Sequence, residues 1–309
     1  MTKIAFLYPG QASQYVGMGR DLYEQFPIAR DLFDEANALL KFDLKKICFE
    51  GPQEALQQTQ VTQPAIFVHS IIVTKILAEQ NLTPDLAAGH SLGEYSALVA
   101  AGVLTFEDGL RVVQKRGELM QMAGTINPGT MAAIIGLSDE QVIEICQRAS
   151  EAGVVTAANF NSPMQVAISG SPEGVARASE LALKQGAKKV IPLVVSGAFH
   201  SPLMENAQQE LKAMLERIEL RPAKIPIYSN VTARPVNDVA EIRTLLYQQL
   251  THPVRWVETI QNMVADGATD FYEVGPGTVL AGLVKRINRT IQVQPKGTAA
   301  ELSRAGVTA

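Results

Sequence analysis

The sequence predicts an α/β fold in which a large subdomain, built on a mostly parallel sheet covered by helices, is interrupted by a small inserted subdomain. Three observations support this prediction. Short apolar segments alternate with helical stretches along most of the chain, as in parallel sheets covered by helices. Between about residues 127 and 196 the predicted order becomes β-α-β-β-α-β, which is the ferredoxin-like arrangement. The chain has 309 residues, 47% of them hydrophobic, which is enough for a large core.

The segment before the insert begins with a buried strand. Residues 4–8 are apolar and end at Pro9-Gly10, which marks a loop. Pro64 lies near the start of a long helical stretch, and Thr105 with Asp108 three residues later is typical of a helix start. Strands are therefore predicted at 4–8 and 85–89, and helices at 28–40, 62–80, 92–101 and 105–123.

The insert contains local signals for each of its elements. Residues 138–141 (SDEQ) have the form of a capping box and begin a helix. Asn161-Ser162-Pro163 joins two strand-like segments, and Gly186 ends the second helix. Strands are predicted at 131–137, 154–160, 164–170 and 189–195, and helices at 138–149 and 172–185.

After the insert the alternation of helices and strands resumes. Helices are predicted at 202–218, 241–250, 257–266 and 279–288, and strands at 225–230 and 270–274. From Thr290 onwards the chain is polar and rich in small residues, so we expect a loosely held tail. The predicted division is a large subdomain of residues 1–126 and 197–309 and a small subdomain of residues 127–196.

Composition excludes several classes of protein. The net charge of -4 and the pI near 5.7 argue against nucleic acid as the main partner. Cys48 and Cys146 lie far apart and outside any His/Cys cluster, so neither a disulfide framework nor a metal site is expected. The start of the chain lacks the apolar core of a signal peptide, and we expect no apolar run to approach the roughly 20 residues that a membrane span needs. We therefore expect a soluble cytoplasmic protein without a membrane partner, and we expect it to be a monomer.

Residues 89–93 (GHSLG) match the G-x-S-x-G pattern between a predicted strand and a predicted helix. This is the context of a nucleophile elbow, in which glycines permit a sharp turn that exposes Ser91. The N–H of Leu92 would lie at the helix N-terminus, where it can stabilise an oxyanion. The alternative is a serine that only caps the helix.

A nucleophilic serine needs a base, and four histidines are available. His69 lies in an apolar helical run and is interpreted as a core residue, and His90 is interpreted as structural because the sharp turn directs it away from Ser91. His252 lies in a loop and is interpreted as solvated. His200 follows a strand and precedes a helix, at the kind of sheet edge where α/β proteins carry their sites. It is the candidate base, although it could also be a loop histidine that packs on its neighbour.

Ordered motifs occur along residues 3–288, namely 9–14 (PGQASQ), 89–95 (GHSLGEY), 114–117 (QKRG), 158–159 (AN), 197–201 (GAFHS), 249–250 (QL), 253–256 (PVRW) and 273–277 (EVGPG). Together they resemble the malonyl-CoA:acyl-carrier-protein transacylase family, the acyltransferases of fatty-acid and polyketide synthesis. One departure is Ala12, where the first loop of the family commonly has glycine. Gln11 on one side and Ser13 and Gln14 on the other are kept.

The resemblance implies a hydrolase-like large subdomain and a ferredoxin-like small one, in agreement with the pattern of elements. It implies a catalytic dyad of Ser91 and His200, with the histidine oriented by the backbone carbonyl of Gln249 rather than by a carboxylate. It also implies an oxyanion hole formed by the amides of Gln11 and Leu92.

The resemblance further implies that Arg116 pairs with the free carboxylate of malonate, and helical spacing supports this. Arg116 lines up with Val112, Val113 and Met120 on the apolar stripe of its helix. A buried guanidinium needs a partner, and a substrate carboxylate gripped bidentately would supply one. The alternative is an internal salt bridge to a protein carboxylate.

The implied activity is ping-pong transfer of malonyl from malonyl-CoA to the phosphopantetheine thiol of an acyl carrier protein, without a cofactor. Phe199 resembles the malonyl-selecting form of its motif, because an aromatic ring would crowd a branch on the α-carbon of the substrate. The alternatives are a trans-acting acyltransferase of polyketide synthesis, a serine acyl-thioesterase or hydrolase, and a non-catalytic homologue that binds the carrier. A hydrolase would carry an acid between Ser91 and His200, but the acids there fall mostly on helices of the small subdomain, and intact Ser91 and His200 argue against a non-catalytic protein.

An acidic carrier would require a local basic patch on this slightly acidic chain. The candidates are Lys184, Lys188 and Lys189 near the last strand of the small subdomain, and Lys285 with Arg286. The alternative for each is an ordinary solvated charge.

Overall fold

The computed structural model describes residues 2–303. The strands are β1 (Ile4–Tyr8), β2 (Leu86–Gly89), β3 (Thr130–Ile135), β4 (Val155–Ser162), β5 (Gln165–Gly170), β6 (Lys189–Pro192), β7 (Ile227–Tyr228), β8 (Pro235–Val236), β9 (Asp270–Val274) and β10 (Val293–Lys296). The helices are α1 (Arg20–Gln25), α2 (Pro27–Leu40), α3 (Leu44–Glu50), α4 (Gln53–Leu56), α5 (Thr59–Glu79), α6 (Gly93–Ala100), α7 (Phe106–Ile126), α8 (Asp139–Ala149), α9 (Pro172–Lys184), α10 (Glu205–Leu215), α11 (Val239–Gln248), α12 (Trp256–Ala265), α13 (Val279–Ile287) and α14 (Ala299–Ser303).

The larger sheet has the strand order β10-β9-β1-β2-β7-β8. All its neighbouring strands pair in parallel except β8, which runs antiparallel to β7 at one edge. The central strands β1 and β2 are buried on both faces, which requires the continuous apolar sequences that they carry. The carboxyl ends of β1 and β2 lie side by side, since Tyr8 pairs with Gly89. The loop at residue 10 and the turn at residue 91 therefore meet at one edge of the sheet.

The smaller sheet has the order β4-β5-β3-β6 with every pairing antiparallel, and this confirms the predicted ferredoxin-like arrangement. Helices α8 and α9 cover one face around an apolar cluster of their own. On the other face Met131, Ala158 and Ala167 join the main core of the protein. The capping box predicted at Ser138 is present at the start of α8.

The two sheets are joined by backbone hydrogen bonds as well as by packing. The N–H of Phe160 donates to the Val254 carbonyl at 2.9 Å, and the N–H of Val254 donates to the Ala158 carbonyl at 2.9 Å. Strand β4 is thereby held against the segment that precedes α12. We propose that the boundaries of the small unit lie where they were predicted, at about residues 127 and 196.

The prediction of a loose tail after Thr290 was wrong for the described part of that tail. Strand β10 extends the larger sheet by pairing in parallel with β9, and Leu302 of α14 is fully buried. The start of α14 is held by a hydrogen bond of 2.7 Å from the N–H of Ala299 to Asp21 Oδ2. Residues 304–309 lie outside the described range.

The statement that no segment is long and apolar enough for a membrane span was also wrong. Helix α5 has 21 residues and meets that criterion, but 83% of its apolar window is buried inside the protein. It begins three residues before the predicted start and packs against α7, so its apolarity is explained by a central position in the core.

Several predicted bounds differ from the structure. Strand β6 ends at Pro192 instead of residue 195, and β7 contains two residues instead of six. The helix predicted at 202–218 is divided into a 3-10 turn at Pro202–Met204 and the shorter α10. The elements α1, α3, α4 and β8 were not predicted, because two to seven residues carry too little periodicity to detect.

Candidate active site

Ser91 occupies a strained turn between β2 and α6, with a backbone φ of 52° in the left-handed region. A Cβ atom at Gly89 would lie 1.8 Å from the carbonyl carbon of Gly93, and one at Gly93 would lie 2.1 Å from the Tyr8 carbonyl oxygen. Only glycine fits at either position. The two glycines therefore permit the close approach of β1, β2 and α6 that presents Ser91.

The loop after β1 lies directly against this turn. A Cβ atom at Gly10 would be 2.5 Å from the carbonyl oxygen of His90. Within residues 2–303, neither the N–H of Gln11 nor the N–H of Leu92 donates to a protein acceptor. Both amides belong to segments beside Ser91, as the prediction of an oxyanion hole requires, and their role remains a prediction.

His200 contacts Ser91 through one ring nitrogen and Gln249 through the other. Its Nε2 lies 2.8 Å from Ser91 Oγ, and its Nδ1 lies 2.8 Å from the carbonyl oxygen of Gln249. The residue is 3% exposed and, like Ser91, has a positive φ, here 57°. A proton on Nδ1 leaves Nε2 free to accept the hydroxyl proton of Ser91.

Carboxylates do not orient this histidine. Among the described residues, no Asp or Glu oxygen lies within 4.0 Å of either ring nitrogen of His200. Burial, followed by the nearby positive charge of Arg116, lowers the pKa of His200 to about 3. The imidazole is therefore neutral at physiological pH, as a proton acceptor must be.

Arg116 is fully buried on α7, and its guanidinium is in hydrogen-bond contact with Ser91. Its Nη2 donates to Ser91 Oγ at 3.1 Å and to Gln249 Oε1 at 2.8 Å, and its Nη1 donates to Gln63 Oε1 at 2.7 Å. The Tyr95 ring lies 5.5 Å from the guanidinium carbon. No described carboxylate lies within salt-bridge distance of Arg116, so the alternative of an internal salt bridge was wrong.

The hydrogen-bond acceptors of Arg116 are thus all neutral oxygens, and the buried carboxylate of Glu94 acts on its charge only from beyond salt-bridge distance. Burial lowers the pKa of Arg116, which reflects the cost of keeping a cation away from water. A buried cation with only neutral acceptors is a favourable position for an incoming anion. Ser91, which lines the cavity, accepts a hydrogen bond from this guanidinium.

Three polar residues of the site were missed by sequence reasoning, namely Gln63, Glu94 and Asn230. The Asn230 side chain accepts the N–H of Ser91 at 2.6 Å, and its Nδ2 donates to the Gly89 carbonyl at 2.6 Å. Glu94 stands inside the motif at 89–95, and Gln63 precedes a proline in a helix. Neither position carries a local signal of its contacts, and Asn230 follows a two-residue strand that periodicity cannot identify.

A cavity of about 500 Å³ opens above Ser91 and His200 between the two sheets. Phe199 lies on its wall and is 5% exposed. The lining combines polar side chains with an apolar wall from β3, the segment after β6, and α13: Gln11, Gln14, Gln53, Gln57, His90, Asn159, Asn161, Gln165, Met131, Leu193, Val194, Val195, Val279, Leu280 and Leu283. Such a cleft can accept an elongated ligand with polar groups along its length.

The other histidines do not contact Ser91 Oγ. His90 Nε2 lies 2.8 Å from Asn161 Oδ1, and its ring meets Trp256 edge-on. His252 Nδ1 lies 2.8 Å from the Gln248 carbonyl oxygen near the surface, and His69 is fully buried. These positions agree with the structural roles expected from the sequence.

The basic residues considered for carrier docking are all exposed: Lys184, Lys188, Lys189, Lys285 and Arg286. Arg286 also donates to Gln165 Oε1 at 3.0 Å, beside the mouth of the cavity. Residues 2–303 contain no group of three His, Cys, Asp or Glu side chains placed to hold a metal ion.

Comparison with known proteins agrees with this geometry. Residues 5–305 match the family model described as "Acyl transferase domain". The malonyl CoA-acyl carrier protein transacylase of Bacillus subtilis strain 168 is 49% identical over 293 residues, which cover 94% of this chain and 92% of that protein. The acyl carrier protein S-malonyltransferase of Vibrio cholerae has a crystal structure that superposes with a TM-score of 0.95 at 42% identity, covering 98% of this chain and 100% of the other. A malonyl-transacylase solved in complex with a type II PKS acyl-carrier protein gives a TM-score of 0.95 at 40% identity, covering 98% and 99% of the two chains.

Proposed function

Because this chain belongs to the acyl transferase domain family, we propose that it transfers malonyl from malonyl-CoA to the phosphopantetheine thiol of an acyl carrier protein. The relatives at 40–49% identity match this chain over nearly their full length, and they are named for this activity. Ser91 is the nucleophile, His200 is its base, and Arg116 binds the free carboxylate of the malonyl group.

One observation carries the substrate assignment. Arg116 is a buried cation whose acceptors are two side-chain amides and the Ser91 hydroxyl. An acyl group attached to Ser91 that ended in a carboxylate would place an anion within reach of this cation. Malonyl has such a carboxylate and acetyl does not, so the position of Arg116 favours malonyl.

Acylation of Ser91 begins when its Oγ attacks the thioester carbonyl carbon. The proton of the hydroxyl passes to Nε2 of His200, and the N–H groups of Gln11 and Leu92 stabilise the oxyanion. When the tetrahedral intermediate collapses, the carbon–sulfur bond breaks and His200 returns the proton to the leaving coenzyme A thiolate. A malonyl ester of Ser91 remains.

Transfer to the carrier repeats the same steps in reverse order. His200 accepts the proton of the phosphopantetheine thiol, and the sulfur attacks the ester carbonyl. Collapse breaks the carbon–oxygen bond and restores the Ser91 hydroxyl. The Gln249 carbonyl holds the Nδ1 proton throughout, so that Nε2 alone exchanges protons.

The bound carboxylate also improves His200 as a base. The positive charge of Arg116 is the second cause of the low pKa of His200, after burial. A malonyl carboxylate would offset that charge and raise the pKa of His200 towards neutrality. Substrate binding and activation of the base are thereby coupled through Arg116.

The contacts of the site disfavour two of the alternative functions, a hydrolase and a non-catalytic homologue. A hydrolase of the elbow type would orient His200 with Asp or Glu, whereas here the Nδ1 acceptor is a backbone carbonyl. A non-catalytic homologue would not need a serine and a histidine 2.8 Å apart. A trans-acting enzyme of polyketide synthesis would use the same site, and one of the similar structures is a malonyl-transacylase in complex with a type II PKS acyl-carrier protein.

We also propose a basis for selectivity among acyl groups, and we propose the cofactor requirement, the oligomeric state and the cellular location of the enzyme. Phe199 restricts branching at the α-carbon of the acyl group, because its ring lies on the cavity wall beside His200. The enzyme needs no cofactor, acts as a monomer and is cytoplasmic.

The test is transfer of malonyl to a purified carrier protein. The enzyme is incubated with malonyl-CoA and holo carrier, and the mass of the carrier and the release of free malonate are followed together. Apo carrier, which lacks the phosphopantetheine thiol, is the matched control. We expect malonyl on the holo carrier only. Release of malonate faster than loading of the carrier would show that the protein is a hydrolase. The absence of both malonyl-carrier and free malonate would show that it is non-catalytic.

A further inference from the structure

Glu94 is a buried carboxylate that none of the steps above uses. It lies on α6, three residues after Ser91, and is 4% exposed. A carboxylate at such depth needs hydrogen-bond donors. Its Oε2 accepts from Gln249 Nε2 at 2.6 Å and from the backbone N–H of Asn230 at 3.2 Å. A single oxygen atom thus joins two loops that are distant in sequence.

The first of these contacts fixes the orientation of the Gln249 side chain. Its Nε2 donates to Glu94 and, at 3.0 Å, to the carbonyl oxygen of Ser91, so its Oε1 faces Arg116. The reversed amide would place N–H groups against the N–H groups of the guanidinium. The same residue offers its backbone carbonyl to His200, so the anchored side chain also fixes the support of the base.

The second contact holds the support of the nucleophile. The Asn230 side chain forms hydrogen bonds on both sides of the turn: it accepts from the N–H of Ser91 and donates to the carbonyl of Gly89. Ser91 has a left-handed φ, which a non-glycine residue adopts only when its surroundings enforce it. Glu94 accepts the backbone N–H of Asn230 and so holds this residue where its side chain can form these two hydrogen bonds.

From this geometry we propose that Glu94 is a positioning residue, which aligns Ser91 with His200 through Asn230 and Gln249. The inference rests on the proposed roles of Ser91 and His200. It depends on the reach of the Glu94 side chain rather than on its charge, because both contacts require only an acceptor oxygen at the Oε2 position.

Two conservative substitutions separate reach from charge. Glu94→Gln keeps the reach of the side chain and an acceptor oxygen, and its amide nitrogen would face Ser229, which also neighbours Glu94. Glu94→Asp keeps the charge but withdraws the carboxylate by about one carbon–carbon bond. The proposal predicts that the glutamine variant is the faster of the two.

The rate of Ser91 labelling by a fluorophosphonate measures the alignment without a malonyl substrate. The full-length protein is used, and the labelled fraction is followed by intact mass. We expect Glu94→Asp and Glu94→Ala to be slowed by about 10- to 100-fold and Glu94→Gln by less than about fivefold. Glu273→Ala is the matched control, because Glu273 is also a buried carboxylate that accepts two N–H groups, those of Leu280 and Ala281. Its labelling rate per folded molecule should stay within about twofold of wild type.

A second measurement tests the route through Gln249. In a Gln249→Ala background, adding Glu94→Ala should slow labelling less than it does in the wild type, because the contact with Gln249 is already lost and only the contact with Asn230 remains to be removed. Full additivity of the two substitutions would show that Glu94 does not act through Gln249. If Glu94→Ala does not fold, the other two variants still test the proposal: faster labelling of Glu94→Asp than of Glu94→Gln would show that the length of the side chain is not what matters. These assays contain no malonyl-CoA, so a different acyl substrate would overturn the proposed function and leave this result unaffected.

Discussion

Replacing Arg116 with alanine should abolish the preference for malonyl while leaving Ser91 and His200 able to react. The guanidinium makes three hydrogen bonds in a fully buried position and meets no described carboxylate. Pairing with a substrate carboxylate in this setting contributes about 2–5 kcal/mol. The expected loss in kcat/KM for malonyl-CoA is therefore about 30- to 5,000-fold.

The same change has a cost for stability, which the assay must separate from selectivity. Removing Arg116 leaves the Oε1 atoms of Gln63 and Gln249 without their donor, at about 1–3 kcal/mol for each. The fraction of folded protein is therefore measured by thermal unfolding, and active sites are counted by Ser91 labelling. All rates are then expressed per active site.

The decisive quantity is the ratio of kcat/KM for malonyl-CoA to kcat/KM for acetyl-CoA. Wild type should strongly favour malonyl-CoA, and Arg116→Ala should gain relative activity towards acetyl-CoA because no unpaired cation faces the methyl group. Arg111→Ala is the control, since Arg111 lies on the same helix but is exposed and paired with Glu107 at 2.7 Å. An unchanged ratio in folded Arg116→Ala would show that Arg116 is structural and does not select malonyl.

Four further predictions concern the base, the cavity wall and the turn. His200→Ala should lower kcat by at least about 10³-fold in single-turnover assays, and equal rates would exclude His200 as the base. His200→Gln should also lose less stability than wild type between pH 6.5 and 5, by up to about 1.4 kcal/mol per pH unit in urea unfolding. Wild type loses stability as the pH falls below 6.5, because the unfolded chain then binds a proton at His200 whereas the folded protein, with its low pKa, does not. Phe199→Ala should raise the use of methylmalonyl-CoA relative to malonyl-CoA by roughly tenfold, and no change in that ratio would remove Phe199 from selectivity. Gly93→Ala should destabilise the protein by about 2–4 kcal/mol in urea unfolding, because its Cβ would overlap the Tyr8 carbonyl oxygen, and wild-type stability would contradict the packing.

The parts of the site that the sequence could predict are those with a local signal. The turn at Ser91 follows from two glycines between an apolar strand and a helix. The inward position of Arg116 follows from its phase on α7, and the structure places it fully inside. The place of His200 at a sheet edge follows from the order of elements. For the turn and for Arg116, residues close in sequence determine the geometry.

The parts that could not be predicted depend on contacts distant in sequence. Asn230 reaches Ser91 across 139 positions, and Gln249 reaches Glu94 across 155. No periodicity records such pairings. Strand β10 was missed for a related reason, since a short polar segment becomes a strand only when β9 offers an edge. The packing of α5 inside the core likewise depends on its neighbours and not on its composition.

Intact-protein mass spectrometry after brief exposure to malonyl-CoA tests directly whether Ser91 forms a malonyl ester. Wild type should gain the mass of one malonyl group, which holo carrier protein then removes. Ser91→Ala, measured as folded protein, should gain none. A malonyl adduct that persists in Ser91→Ala, or folded wild type that never acquires one, would contradict a covalent malonyl ester on Ser91.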